Sequence, residues 1–375
     1  MRNDNKKTTA HNPAVGAARE QLSIKITNEI VAEITEKNNL KNTKIADSKG
    51  LDTVSMAELY ENVYQPRIPV VDGFLNSGTY LFVGAPKVGK SFFMAQLAYH
   101  VSMGIPLWNY LVRKGTVLYL ALEDDYARLQ QRLSQMFGVE GSEKLFLATQ
   151  AKNLEEGLGE QMEAFVANHP DARLIIIDTL QKIREVGGDK FSYANDYEIV
   201  TRLKNFSDKY NVCLLVVHHT RKMESSDSFD MISGTNGLLG AADGAFIMQK
   251  KKRTDNEAIL DIVGRDQQDQ ELTLEFDREH CIWNLTKAET ECWKSEPDPL
   301  LELINGFLSG DRTEWIGSAS ELMEEIAELQ NQMKSNVLSR KLNVSAGILY
   351  RDYGIRYEQL PRTSDKKALR LCRME

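Results

Sequence analysis

The 375-residue sequence lacks any apolar run of about 18 or more residues, the length a helix needs to cross a lipid core. No membrane span is therefore expected. Its opening, MRNDNKKTTAHNPA, lacks the apolar stretch of a secretory signal, so the expected location is the cytoplasm. Cysteine is scarce: Cys213, Cys281, Cys292 and Cys372 show neither a CxxC pair nor metal-ligand spacing. In a reducing compartment they read as ordinary thiols. Aromatic residues make up 8% of the chain and form no stripe of the kind that stacks single-stranded bases. Internal repeats and low-complexity tracts are also missing. What remains is a globular composition, 42% hydrophobic and 27% charged.

The net charge is −8, which argues against a nucleic-acid partner until its distribution is read. From Lys334 to Glu375 there are ten Lys/Arg against four Asp/Glu, a local balance of +6, so the preceding 333 residues carry −14. A basic C-terminal end on an acidic chain is a footprint for phosphate binding. A solvated charged tail would have the same composition.

Residues 1–50 are rich in Asn, Lys, Thr and Asp, and read as a polar extension. Within them REQLSIKITNEIVAEITEKNN (19–39) spaces Leu22, Ile26, Ile30 and Ile34 for one helix face. SMAELYENVY predicts a helix, and PRIPVVDGFLNSG a turn-rich approach to a strand. From residue 79 to about 285 short apolar runs alternate with helical stretches: TYLFVG, VLYLAL, LFLAT, LIIID and CLLVV. Runs that do not alternate polar with apolar are strands buried on both faces, and helices between them imply a parallel sheet. After Gly244 the rhythm changes, and AFIMQKKK, AILDIVG and ELTLEFD read as an antiparallel edge. The fold class is thus α/β. PDP (297–299) marks a linker. Beyond it LLELINGFL, SASELMEEIAELQ, NVLSRKLN and SAGILYRDYGI read as four short helices and ALRLCRM as a closing strand, a winged-helix-like pattern.

GAPKVGKS, residues 84–91, matches GxxxxGK[ST] between a predicted strand and a predicted helix, the setting of a P-loop. Glycines let backbone N–H groups curl around phosphate oxygens, and a helix N-terminus adds the positive end of its dipole. The expected nucleotide contacts run through Gly84, Ala85, Pro86, Lys87, Val88, Gly89, Lys90, Ser91 and Phe92. Lys90 is expected on the β- and γ-phosphates and Ser91 on Mg²⁺. Lys87 is either a further phosphate contact or a surface lysine. LIIIDTL presents Asp178 at a strand end, where a Walker-B-type aspartate holds the metal or, alternatively, caps the next turn.

Hydrolysis needs a base for the attacking water. Thr179 occupies the position after the aspartate, so the base must come from elsewhere. Glu123, ending VLYLALE, is the first candidate, with Asp124 and Asp125 as alternatives and helix capping as the bland role. VVHHTRK ends another strand, so His218, His219 or Thr220 can sense the γ-phosphate. Adjacent histidines on a strand point to opposite faces, which argues against a metal site. MESSDSFDMISG (223–234) reads as a polar loop beyond that strand, able to touch DNA or merely to connect. Arg265, in GRD, is a candidate arginine donated to a neighbouring subunit's site, with Lys252 and Arg253 as competitors.

GAPKVGKS, LYLALEDD, LIIIDTL, VVHHTRK and GRD, in this order, resemble the RecA-like ATPases of the RepA hexameric helicase group, within the wider RecA and DnaB superfamily. The resemblance covers roughly residues 55–285. It implies a RecA-like P-loop core over residues 51–290, ATP and Mg²⁺ as ligands, and rings with ATP sites between subunits, typically hexamers. It assigns Lys90 and Ser91 to nucleotide and metal, Glu123 to the base, Asp178 to the Walker-B acid, His219 to the sensor region and Arg265 to the trans-acting arginine. The family's KxR-type pair is reduced here to Arg265. Residues 291–375 resemble the winged-helix-like modules of mobile-element replication proteins. The partners implied are single-stranded DNA and a replication initiator or primase. Two other readings are compatible with these residues: an ATP-gated DNA-binding loader or regulator, and a small-molecule P-loop kinase, against which the missing arginine-rich lid speaks.

Overall fold

A computed structural model describes residues 53–64, 67, 69–184, 193–219, 236–252, 254–265, 267–290, 297–310, 312–330, 333–361 and 368–374. The helix read at 19–39, Thr220 and the loop read at 223–234 lie outside the described residues. The chain forms two compact units. The larger comprises the described parts of Gln65–Ile316, Ala346–Tyr357 and Arg370–Glu375; the smaller comprises those of Met1–Tyr64, Gly317–Ser345 and Glu358–Leu369.

The larger unit is built on one nine-stranded sheet. In chain order, α1 (Met56–Glu61) precedes β1 (Pro69–Val71), β2 (Leu75–Asn76), β3 (Gly78–Gly84) and α2 (Lys90–Met103). Then follow β4 (Thr116–Ala121), α3 (Tyr126–Phe137), β5 (Leu145–Ala148), α4 (Leu158–Asn168), β6 (Ala172–Asp178), α5 (Leu180–Ile183), α6 (Tyr193–Tyr210) and β7 (Cys213–His219). After α7 (Asn236–Ala241) come β8 (Gly244–Gln249), β9 (Glu257–Gly264), β10 (Gln267–Asp277) and β11 (Ile282–Thr290). The sheet order is β11-β10-β9-β8-β3-β7-β6-β4-β5. Strands β8, β3, β7, β6, β4 and β5 pair in parallel, and β9, β10 and β11 continue antiparallel.

Side-chain alternation explains why the central strands carry no polar face. Tyr80, Phe82, Val117, Tyr119, Leu174, Ile176, Leu215 and Val217 point to one side, under α2 and α3. Leu81, Val83, Leu118, Leu120, Ile175, Ile177, Leu214 and Val216 point to the other, under α4, α5, α6 and α7. Both faces are covered, so both must be apolar. On β9 the pattern becomes one-sided: Ala258, Leu260 and Ile262 join only the first cluster.

Four readings of the sequence are corrected. AFIMQ (β8) pairs parallel with β3, so the antiparallel edge begins one strand later, at β9. A further strand, β11, extends the expected set; Trp283 is its one fully buried residue, so its sequence shows little apolar period. After α8 (Pro299–Phe307), residues 314–318 form β12 and α9 starts at Ala319 behind the Ser318–Glu321 capping box, with α10 at Ala327–Gln330. NVLSRKLN and SAGILYRDY form one 19-residue helix, α11 (Ser335–Tyr353), followed by β13 (Ile355–Gln359) and β14 (Ala368–Arg373). These last three strands form a sheet in the order β12-β14-β13.

Asn343 explains the uninterrupted helix. It is buried, its Nδ2 donates to the Tyr60 carbonyl at 2.8 Å, and its Oδ1 accepts from Gln359 at 2.7 Å. A side chain satisfied elsewhere no longer competes with the helix backbone. The same small unit ties α1 to α11 through Arg340 Nε and Glu61 Oε1 at 2.7 Å. No helix among the described residues is long and apolar enough to cross a membrane.

Phe82 sits at the centre of the large sheet, fully buried, its ring stacked on Phe93 at 5.3 Å and on Phe246 at 6.1 Å. Phe82→Ala is expected to lower unfolding stability by about 3–5 kcal/mol. Chemical denaturation measures this, and a loss under about 1 kcal/mol would contradict the packing described.

Candidate nucleotide site at the carboxyl ends of the strands

The P-loop leaves the C-terminal end of β3 and enters α2. Gly84 ends the strand close to β8: a Cβ there would come within 2.6 Å of the Met248 carbonyl oxygen. Gly89 is the N-cap of α2, with φ +109° and no capping side chain. The first bond within the helix runs from the Phe93 amide to the Gly89 carbonyl at 3.2 Å. The amides of Lys90, Ser91 and Phe92 thus have no carbonyl partner inside the helix and are free to meet an anion. Ala85, Pro86 and Lys87 are exposed on the loop, Lys87 with a positive φ of 67°. Val88 is buried and anchors the loop in the core. Phe92 turns its ring against Phe276 at 5.3 Å and beneath the Arg132 guanidinium, so only its backbone is available to a ligand.

Lys90 is 5% exposed. Its Nζ donates to the carbonyls of Gly84 at 2.8 Å and Ala85 at 3.0 Å, and lies 3.1 Å from His219 Nδ1. Burial lowers its pKa to about 8, against the opposing charges of Asp178 and Glu123. The His219 ring is also held below its ordinary pKa, by burial and then by Lys90. Register decides between the two histidines. His219 pairs with Gly84, whereas His218 pairs with Val83 and faces the other way.

Asp178 closes β6 and is 5% exposed. Its Oδ2 accepts from Ser91 Oγ at 2.8 Å and from Tyr119 Oη at 3.0 Å. Burial raises the pKa of its carboxyl, and the two hydroxyl donors work against that rise. Strand β4 ends alongside: Ala121 is in register with Asp178, and the Leu122 amide donates to the Asp178 carbonyl at 2.9 Å. The next residue is Glu123, whose Oε1 accepts from Thr179 Oγ1 at 3.1 Å.

The neighbouring acids are otherwise engaged. Asp124 is held by Arg132 at 2.6 Å and by Arg128 at 3.3 Å. Asp125, not Glu123, caps α3, accepting from the Arg128 amide at 2.8 Å. Glu123 is the acid of the three that faces the P-loop lysine and the strand-end aspartate.

The donor set suits the groups a P-loop would hold. The adjoining hydroxyl and carboxylate of Ser91 and Asp178 are hard oxygen donors of the kind Mg²⁺ takes. The free helix amides, the glycine cradle and Lys90 suit a polyphosphate.

Arg265 stands elsewhere. Its amide donates to the Asp243 carbonyl at 2.9 Å and its Nη2 to the Gly240 carbonyl at 2.7 Å. Asp243 is bonded to the Thr79 amide, at the start of β3, whereas the P-loop follows its end. Five strand residues separate the two levels, on the order of 16 Å. Arg265 is exposed at the opposite end of the sheet from its own P-loop. Lys252 lies at the P-loop end, just past β8, in a turn closed by Asp255 at 2.9 Å. Arg253 lies outside the described residues.

Three supporting residues were given no role by the sequence: Trp283, Gln96 and Tyr119. Trp283, from β11, donates through Nε1 to the Gly89 carbonyl at 3.2 Å, and its backbone is clamped in both directions by the Gln96 amide. Tyr119 sits within an apolar strand run, although a buried phenol needs a partner and so carries a signal.

Residues 46–225 match the model of a family described as an AAA domain. No curated protein matches the chain. Among solved structures, one described as an ATPase domain is similar at a TM-score of 0.50 and 14% identity, over 69% of this chain and 98% of that one. A DnaB-like replicative helicase, described with its interactions with primase, is similar at a TM-score of 0.51 and 15% identity, over 72% of this chain and 77% of that one. The fold is the RecA-like P-loop fold. In this sheet β3 leads into the GxxxxGKS loop and β6 ends in Asp178, with β4 between β6 and the edge strand β5.

Glycine substitutions test the loop's support. At Gly89 an added Cβ would meet Trp283 Cζ2 at 2.6 Å in a backbone conformation that side chains avoid; at Gly159, in α4, it would meet nothing. Gly89→Ala is expected to destabilise by about 1–3 kcal/mol, and Gly159→Ala to be neutral or stabilising by up to about 1 kcal/mol. Denaturant midpoints giving equal effects for the two would contradict this account.

Proposed function

We propose that this chain is a Mg²⁺-dependent ATPase that works as a ring-forming helicase or translocase on single-stranded DNA, of the RepA type, in the replication of a mobile element. What supports the reading most is the convergence of Lys90, Ser91, Glu123, Asp178 and His219 at the carboxyl ends of four neighbouring strands. In open α/β sheets that end is where ligands bind. The RecA-like domain, residues 51–290, carries the site. Residues 1–50 form an extension, and the winged-helix-like segment 291–375 brings to DNA the surplus positive charge of its last part, residues 334–375. A replication initiator or primase is the expected protein partner, and the cytoplasm the expected location.

The chemistry follows from the residues. Mg²⁺, held by Ser91 and through water by Asp178, would offset phosphate charge. Lys90 exchanges the Gly84 and Ala85 carbonyls for the β- and γ-phosphates, which add negative charge against an ammonium whose burial disfavours it. Glu123, fixed by the Thr179 hydroxyl, accepts a proton from water as that water attacks the γ-phosphorus and ADP leaves. His219, beside Lys90 on β7, registers whether the γ-phosphate is present and passes this to the segment beyond the strand. Arg265 is too far from its own P-loop to act there. It serves the site of the next subunit, where a guanidinium offsets transition-state charge.

ATP hydrolysis measured with and without single-stranded DNA tests the motor. The expected result is stimulation of about ten-fold or more, abolished by Lys90→Ala. A rate indifferent to DNA would overturn the motor and favour an ATP-gated loader or regulator. Mixing tests the shared site. Lys90→Ala and Arg265→Ala chains should each be inactive alone, while a mixture regains activity where an intact Lys90 meets an intact Arg265. No recovery on mixing would remove Arg265 from the site.

A further inference from the structure

Tyr119 is 1% exposed, in the middle of β4, and its ring is part of the core beneath α2. It is in register with Ile176, two residues before Asp178 on the neighbouring strand and on the same face. The phenol therefore lies along the sheet toward the strand ends, and its hydroxyl reaches Asp178 Oδ2 at 3.0 Å. Ser91 Oγ donates to the same oxygen at 2.8 Å. Phenylalanine would fill the same apolar space, so packing alone does not require the oxygen.

We propose that Tyr119 is a positioning residue: its buried hydroxyl fixes the Asp178 carboxylate in the orientation that holds the divalent cation. This inference rests on the nucleotide reading above. Tyr119 touches neither nucleotide nor metal and acts through Asp178. A buried carboxylate can rotate about its last side-chain bond, and two donors on Oδ2 fix that rotation. When Ser91 turns its oxygen toward the cation, Tyr119 is the donor that remains. Partners of this kind on metal-binding carboxylates typically contribute about 10–100-fold in metal affinity. The strand delivers both the holder and the base: four residues after Tyr119, the same β4 segment presents Glu123.

The test uses Tyr119→Phe in the full chain. ADP affinity is measured by calorimetry with chelator and with Mg²⁺, and Mn²⁺ binding to the ADP complex by electron paramagnetic resonance. The expected result is metal affinity about ten-fold or more weaker, with metal-free ADP affinity and thermal midpoint near wild type. Metal affinity equal to wild type would overturn the inference. So would equal losses of metal-free and metal-dependent binding, which mark a purely structural role. A wild-type chain that binds no ADP overturns the nucleotide reading and this inference with it. A wild-type chain that binds ADP and metal, matched by Tyr119→Phe, overturns this inference alone.

Discussion

Asp178 is a carboxylate held almost out of solvent at the end of a strand that is otherwise apolar, and the site is organised around the cost of keeping it there. A buried charge must be hydrogen-bonded or paired. Ser91 and Tyr119 supply the hydrogen bonds, and Lys90 supplies the opposite charge nearby. They come from two elements: Lys90 and Ser91 open α2, and Tyr119 lies on β4. Satisfying one carboxylate therefore fixes the loop, two strands and a helix start relative to one another. Lys90 has the complementary difficulty. Its burial lowers its pKa to about 8, and it rests on two carbonyls and a histidine. A polyphosphate would relieve the lysine and its divalent cation the carboxylate, which is why the cluster reads as a site and not as a core ion pair.

The sheet sets what can act together. Six parallel strands bring their carboxyl ends to one edge, where the P-loop, Glu123, Asp178 and His219 meet. The antiparallel extension runs back, and β9 delivers Arg265 to the opposite edge, bonded to the Gly240 carbonyl. An arginine there is remote from its own nucleotide site. A role in hydrolysis then requires a second copy of the chain, and under the proposed function an isolated subunit is incomplete. The extension has a second use: β11 returns Trp283 to the P-loop, where it supports Gly89 from behind.

Much of this was legible in the sequence because it is local. The P-loop, the apolar run ending in Asp178 and the run ending in Glu123 each lie within eight residues, and their chemistry depends on strand ends. Burial on both faces of β3, β4, β6 and β7 was readable from unbroken apolar runs. Contacts made across the sheet were not. Trp283 is 194 residues from Gly89, and Tyr119 had to be placed beside β6 before its hydroxyl could be given a partner. Strand β11 escapes notice because its outward face is polar. The C-terminal helix reads as two in the sequence, and the partners that hold Asn343 at its middle, Tyr60 and Gln359, are distant in the chain.

The central claim is that this cluster hydrolyses ATP with Glu123 as base. The most direct measurement compares ATP binding with turnover in Glu123→Gln, which keeps the side chain's size and its contact with Thr179 while removing the basic oxygen. The account predicts ATP affinity within a few-fold of wild type and a kcat lower by about 10²–10⁴. Turnover equal to wild type, with binding intact, would contradict it.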